Sequence, residues 1–140
     1  LLDPVLIDEC IAVMTTSSEI DLVSNCIGRT YPRGLDVEVL SAQALQRVDA
    51  EARDYHRVHV TTWITDTPSG MTVVGLVDGT DNSDLRVTVD YPEDLAVVQK
   101  VAMELGPHVI AYRDLIDFLR MNPDVAAINA GVRQKEIAEG

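Results

Sequence analysis

No apolar run in this 140-residue chain approaches the roughly 20 residues that a membrane-spanning helix requires, so a helical membrane protein is excluded. The first residues lack a basic stretch followed by an apolar run and a small-residue cleavage site, so nothing points to secretion and a cytoplasmic location is expected. Cysteine is scarce. Cys10 and Cys26 have no metal-ligand spacing and lie in apolar segments, which reads as buried thiols in a reducing compartment rather than a zinc site. Basic residues are short as well: 11 Lys and Arg against 23 Asp and Glu give a net charge of -12, which disfavours DNA or RNA as a partner. A local arginine cluster can still hold a small anion. An initiating methionine is also missing, and Leu1 opens what reads as the interior of an element, so a fragment or processed product is expected. What is present is an apolar content of 46% with a mean hydropathy of +0.07, the balance of a soluble globular domain. A chain of this length buries roughly two thirds of its unfolded surface, enough for one core.

Along the chain, strand and helix patterns alternate. Asp3-Pro4 is an N-cap followed by proline at the first helical position, and Val5, Leu6, Ile7, Cys10, Ile11 and Met14 predict a helix over 4–16. Residues 21–24 read as a short strand, and 25–34 as a loop punctuated by Gly28, Pro32 and Gly34 that carries Arg29, Tyr31 and Arg33. The alternation over 35–40 predicts a strand with Asp36 and Glu38 on one face. Ser41 caps a predicted helix to about Tyr55, with Ala42, Leu45, Val48 and Ala52 inward. Residues 56–64, with His59 and the single Trp63, read as mixed helix and extended chain, and 67–70 as a turn. A strand is predicted over 72–77, and the aspartate-rich 78–84 reads as a solvated turn without the ordered ligands of a calcium loop. Helices follow over about 92–105, stopped by Gly106-Pro107, and over 113–121, then a short turn over 124–129 and a charged, fraying tail at 133–140. His56 and His108 read as surface residues. Interleaved strands and helices indicate an α/β sandwich with a sheet that can be mixed.

The chain is organised around Asp84 to Leu95. Leu85, Val87 and Val89 alternate with Arg86 and Thr88 as in a strand, and Pro92-Glu93 opens a helix, leaving Asp90 at the junction. Ligands of open α/β sheets bind outside the carboxyl ends of strands, so an acid here can hold a metal or a hydroxyl. Equally, Asp90 with Glu93 three residues on has the spacing of a capping box.

Three separated segments, Asp3-Pro4-Val5-Leu6-Ile7-Asp8, Arg29 through Val39 and Asp84 through Leu95, resemble the C-terminal part of one family. It is the cytidylyltransferase family of spore coat polysaccharide biosynthesis protein F, relatives of the CMP-KDO and acylneuraminate synthetases. His59-Val60-Thr61 and Ala127-Ile128-Asn129 also fit. The resemblance implies a three-layer Rossmann-like nucleotidyltransferase sandwich in which a sugar acid attacks the α-phosphate of CTP, supported by Mg²⁺, and pyrophosphate leaves. It places the metal acid of a Val-Asp-x-Pro-Glu-Asp-Leu segment at Asp90, and it assigns Arg33, Asp36, Glu38 and His59 to the sugar side. At His59 the accompanying glutamate of the family is replaced by Val58, and beside Asp90 the commoner threonine is Tyr91.

The resemblance also implies that residues 1–132 are the substrate-binding and dimerising part, with homodimer contacts after the His59 segment around Trp63 and residues 73–76. The family's N-terminal strand, its glycine-rich phosphate loop and its first metal acid have no counterpart in the sequence. The isolated chain is therefore expected to lack the nucleotide-binding half and to show little or no catalysis. A non-catalytic module that binds a sugar acid or a protein is the competing reading. A glycosyltransferase is a more distant one, since no Asp-x-Asp element stands at a strand end.

Overall fold

Helix α1 (Pro4–Met14) starts where Asp3 and Pro4 predict, in a computed structural model that describes residues 3–67, 70–106 and 108–134. The Asp3 carboxylate accepts from the Val5 N–H at 3.0 Å, and its second oxygen accepts from the Tyr112 N–H at 2.9 Å. One buried acid thus serves the starts of two helices, where backbone donors have no partner within the helix.

Strand β1 (Leu22–Ser24) is the centre of a three-stranded mixed sheet. It pairs antiparallel with β2 (Glu38–Leu40), matching Val23 to Val39, and parallel with β3 (Val73–Gly75), matching Val23 to Val74. The two faces of β1 bury different residues. Leu22 packs with Val48, Ala52, Trp63 and Ile64, whereas Val23 joins the larger core with Leu6, Leu35, Val97, Val101, Leu115 and Leu119. The first group comes from α2 (Ala42–Glu51) and α3 (Thr62–Asp66) and their flanks; the second from α1, α4 (Pro92–Leu105) and α5 (Tyr112–Met121), with Leu35 from the segment before β2. Helices therefore cover both faces of an α/β sheet. Helix α6 (Pro123–Ala126) closes the larger core with Val125. Among the described residues, no helix is long and apolar enough to cross a membrane.

Several predicted elements come out shorter, each for a local reason. The strand expected over 35–40 is reduced to its last three residues because the Asn25 side chain occupies the backbone of the rest, donating to the Leu35 carbonyl at 2.7 Å and accepting from the Val37 N–H at 2.8 Å. The strand expected to end at Asp90 is a single parallel bridge between Arg33 and Arg86. There the Arg33 N–H donates to Leu85 O at 2.9 Å and the Val87 N–H donates to Arg33 O at 2.7 Å, after which no neighbour continues the ladder. Gly34 permits this approach. Its φ is +102°, and a Cβ on it would lie 2.6 Å from the Thr88 nitrogen. The strand expected over 72–77 is confined to Val73–Gly75.

Helix α2 stops at Glu51 instead of near Tyr55, since Ala52 is extended with ψ 143° and Asp54 takes φ +50°. Its inward residues are Ala44, Val48 and Ala52, while Leu45 lies outside at 52% exposure. The mixed 56–64 stretch contains no strand; it is a 3₁₀ turn over Asp54–Arg57 and then α3. Trp63, expected near a dimer contact, is buried in this chain's own core. His56 is half-buried rather than on the surface, with its Nε2 shut from solvent, whereas His108 is exposed. Of the predicted 67–70 turn, Pro68 and Ser69 lie outside the described residues, as do Pro107 and 135–140 of the predicted tail. Gln134 in that tail is tied down: its side-chain oxygen accepts from Arg86 Nη1 at 2.5 Å.

Candidate functional site

The junction that carries Asp90 is built on a buried ion pair. Arg86, 7% exposed, grips the fully buried Asp94 with two parallel bonds, Nε to Oδ1 at 2.8 Å and Nη2 to Oδ2 at 2.9 Å. This is the paired-fork geometry in which arginine and carboxylate bind most strongly. Asp94 is satisfied further by Asn129, whose Nδ2 donates to Oδ1 at 2.8 Å, and by the N–H groups of Asp90 and Tyr91, which donate to Oδ2 at 3.1 and 3.2 Å. Its carboxyl is held well below the usual carboxylate range, foremost by the Arg86 hydrogen bonds against the opposing effect of burial. The same contacts raise Arg86, with Asp94 the largest cause.

Helix α4 starts at Pro92 as predicted, but its capping box lies one residue later than the Asp90–Glu93 spacing suggests. Tyr91 is the N-cap, and Asp94 at the third helical position supplies the acid that caps it. Asp90 is thereby freed from capping. Its Oδ2 accepts from Arg86 Nη2 at 2.9 Å, and its side chain remains 47% exposed.

Mg²⁺ accepts one or two protein carboxylates and completes its shell with water and phosphate oxygens. Asp90 offers one such carboxylate: Arg86 Nη2 occupies its Oδ2, and the half-exposed side chain still faces solvent. It does not make a site alone: among the described residues no group of three or more His, Cys, Asp and Glu could hold a metal ion.

Of the other predicted residues, Arg33 shares the bridge with Arg86, so its backbone is laced to the Asp90 segment while its side chain is exposed. Asp36 and Glu38 are both exposed and flank the buried Val37. Each has its own partner. Arg29 Nη1 donates to Asp36 Oδ1 at 2.5 Å, and Ser24 Oγ donates to Glu38 Oε1 at 3.2 Å. Burial lowers the Arg29 guanidinium's affinity for its proton, but the hydrogen bond and charge of Asp36 outweigh it, and the net shift is upward. Cys26 nearby has its thiol pushed up, first by burial and then by Asp36, so it is held protonated. His59 stands apart in the turn before α3, where its carbonyl accepts from the Thr62 N–H at 3.1 Å and from Thr62 Oγ1 at 2.6 Å.

Sequence reasoning gave no role to Arg29, Arg86, Asp94 or Asn129. A charged residue inside an apolar alternation was the available signal for Arg86, and an acid at the third position after a helix-opening Pro92 was that for Asp94. Asn129 lies in the Ala127-Ile128-Asn129 segment that fits the family, but nothing local marks it as a partner of Asp94, 35 residues earlier.

No protein-family model matches the chain. Over 113 residues, 76% of the chain, it is 34% identical to the uncharacterized protein MJ1063 of Methanocaldococcus jannaschii, of which it covers 45%. Among solved structures, a cytidylyltransferase from Leptospira borgpetersenii serovar Hardjo-bovis superimposes over 96% of the chain with a TM-score of 0.84 at 22% identity. The fold is similar to part of a cytidylyltransferase. The chain spans 56% of that enzyme and 45% of the archaeal relative, so in both cases the relative is a much longer protein.

Proposed function

We propose that this chain is a part of a cytidylyltransferase that activates a sugar acid as its CMP derivative for surface-polysaccharide biosynthesis, within a three-layer Rossmann-like sandwich of the spore coat polysaccharide protein F type. Residues 1–132 form the substrate-binding and dimerising part. The observation that carries the reading is the Asp90 carboxylate, pinned on one side by a buried Arg86–Asp94 pair and open on the other, in a fold similar to part of a cytidylyltransferase.

In this reading a hydroxyl of the sugar acid attacks the α-phosphate of CTP and pyrophosphate departs. Mg²⁺, when bound, neutralises charge on the phosphate oxygens, and Asp90 is one of its ligands. The exposed Arg33 guanidinium pairs with the sugar carboxylate. Asp36 and Glu38 accept sugar hydroxyls with the oxygens that Arg29 and Ser24 leave over, and His59 borders the same substrate. The nucleotide pocket and a second metal acid belong to the portion of the enzyme that this chain does not contain.

Calorimetric titration with KDO, an acylneuraminate and CTP with Mg²⁺ tests this, on the chain and on the full-length product of its gene. The chain is expected to bind a sugar acid and to lose that binding in Arg33→Ala. Only the full-length form is expected to bind CTP, and Asp90→Asn in it should lower Mg²⁺-dependent turnover by about tenfold or more, the scale on which disturbing a metal's surroundings acts. Tight CTP binding by the short chain would place the nucleotide site here and refute the division. Absence of sugar-acid and CTP binding in both forms would instead identify a non-catalytic module.

A further inference from the structure

Three of the four most exposed large apolar side chains among the described residues gather around one groove. Met103 on α4 is 82% exposed, Met121 at the end of α5 is 81% exposed, and Val109 in the connection is 71% exposed. Between the two helices runs an open cleft of about 550 Å³ floored by Leu105 and Phe118 with Val109 and Met121 on its walls. Past Leu105 and Phe118 it continues into a second cleft of about 470 Å³ that Met103 lines. On α5, Asp114, Asp117, Phe118 and Met121 follow the spacing of one helix face, so two acids and then two apolar residues line the same wall. Glu104 adds a third acid at the α4 side, against a single lysine, Lys100.

We propose that this groove docks a basic amphipathic helix of a partner protein. An apolar floor between two helices suits the i, i+3/i+4, i+7 anchors of a helix laid into it, and exposed methionines adapt to the shape of such anchors. The acidic rim selects the occupant. A second copy of this chain would bring Asp114, Asp117 and Glu104 against the same acids, a like-charge arrangement that costs affinity. An anionic membrane surface is repelled by the same rim. A helix carrying leucines on one side and lysines or arginines on its flanks meets both demands. This inference stands independently of the cytidylyltransferase reading.

The probe is a labelled amphipathic peptide of leucine and lysine, titrated by fluorescence anisotropy beside a leucine and glutamate peptide of the same pattern. The lysine peptide is expected to bind and the glutamate peptide not to. Met103→Lys with Met121→Lys should weaken binding about tenfold or more, and both positions are exposed enough for the variant to fold. Asp49→Lys with Glu51→Lys, which reverses two charges on α2 and its exposed face, should leave it within about twofold. Equal loss in both variants, or binding untouched by the methionine changes, reduces the effect to the general charge of the chain and overturns the proposal. So does failure of the lysine peptide to bind. A second measurement is peroxide oxidation of the full-length gene product. Met103 and Met121 should oxidise readily when no peptide is present and be protected by it; protection without peptide would mean that the protein's own chain fills the groove.

Discussion

Arg86 shows how a single residue can be read correctly in position and wrongly in environment. Its place in the alternation, between Leu85 and Val87, predicts a solvent-facing side chain, yet it is 7% exposed and gripped by Asp94. A charge buried this deeply is tolerable only while its partner is present. Removing the guanidinium strands the Asp94 carboxylate, so Arg86→Ala is expected to lower the unfolding free energy by about 3–5 kcal/mol. Arg86→Lys should recover only part of it, because an ammonium cannot reproduce the two parallel bonds. Urea denaturation of Arg86→Ala, Asp94→Ala and the double variant checks this: the double variant should cost clearly less than the sum of the singles, as residues of one network do. Asp90 was legible from sequence as the residue at the junction. Its partner was not, because a strand continuing to Asp90 would hold it about 13 Å from Arg86, and the bond forms only because the ladder ends at the Arg33–Arg86 bridge.

Among the elements, helices were read well and strands poorly. Helix α1 needs only Asp3, Pro4 and an apolar repeat; α4 needs only Pro92 and the glycine at its end, Gly106 with φ +85°. Strands depend on neighbours that the local pattern cannot name. Leu85 and Val87 are buried as the alternation predicts, but only one bridge forms there, since Arg33 alone runs beside them. Leu35 and Val37 are buried too, and Asn25 takes the backbone bonds a strand partner would have used. Asp3 acts between elements, accepting from the first turn of α1 and from the first residue of α5, 109 positions away. Loss of a helix cap costs about 1 kcal/mol, so Asp3→Ala, which removes two acceptors, should destabilise by roughly twice that. Hydrogen exchange should report it at both helix starts. Protection lost only at Val5 would show that the contact with Tyr112 contributes nothing.

For the whole molecule, the buried network decides the response to acid. Asp94 is held below its ordinary range, so between its unfolded value of about 4 and its lower folded value the unfolded chain binds more protons than the folded one. Stability from this group is fully present above about pH 4 and is lost as pH falls below it. The net charge of -12 works the other way, since protonation relieves self-repulsion, but at physiological salt charges more than about 8 Å apart are largely screened. Thermal melts in such salt should therefore be nearly level from neutral pH to about pH 5 and fall steeply below about pH 4. A melting temperature that rises through that range would mean that repulsion outweighs the Arg86–Asp94 pair. The sequence by itself determined the α/β character, the helix starts and the position of Asp90, because these follow from periodicity, capping chemistry and proline, all of which act over a few residues. Which strands paired, where Arg86 was buried and how residues as distant as Asp94 and Asn129 came to share one network were decided only by the tertiary structure, because a buried charge and a sheet edge each need partners that the fold brings from elsewhere in the chain.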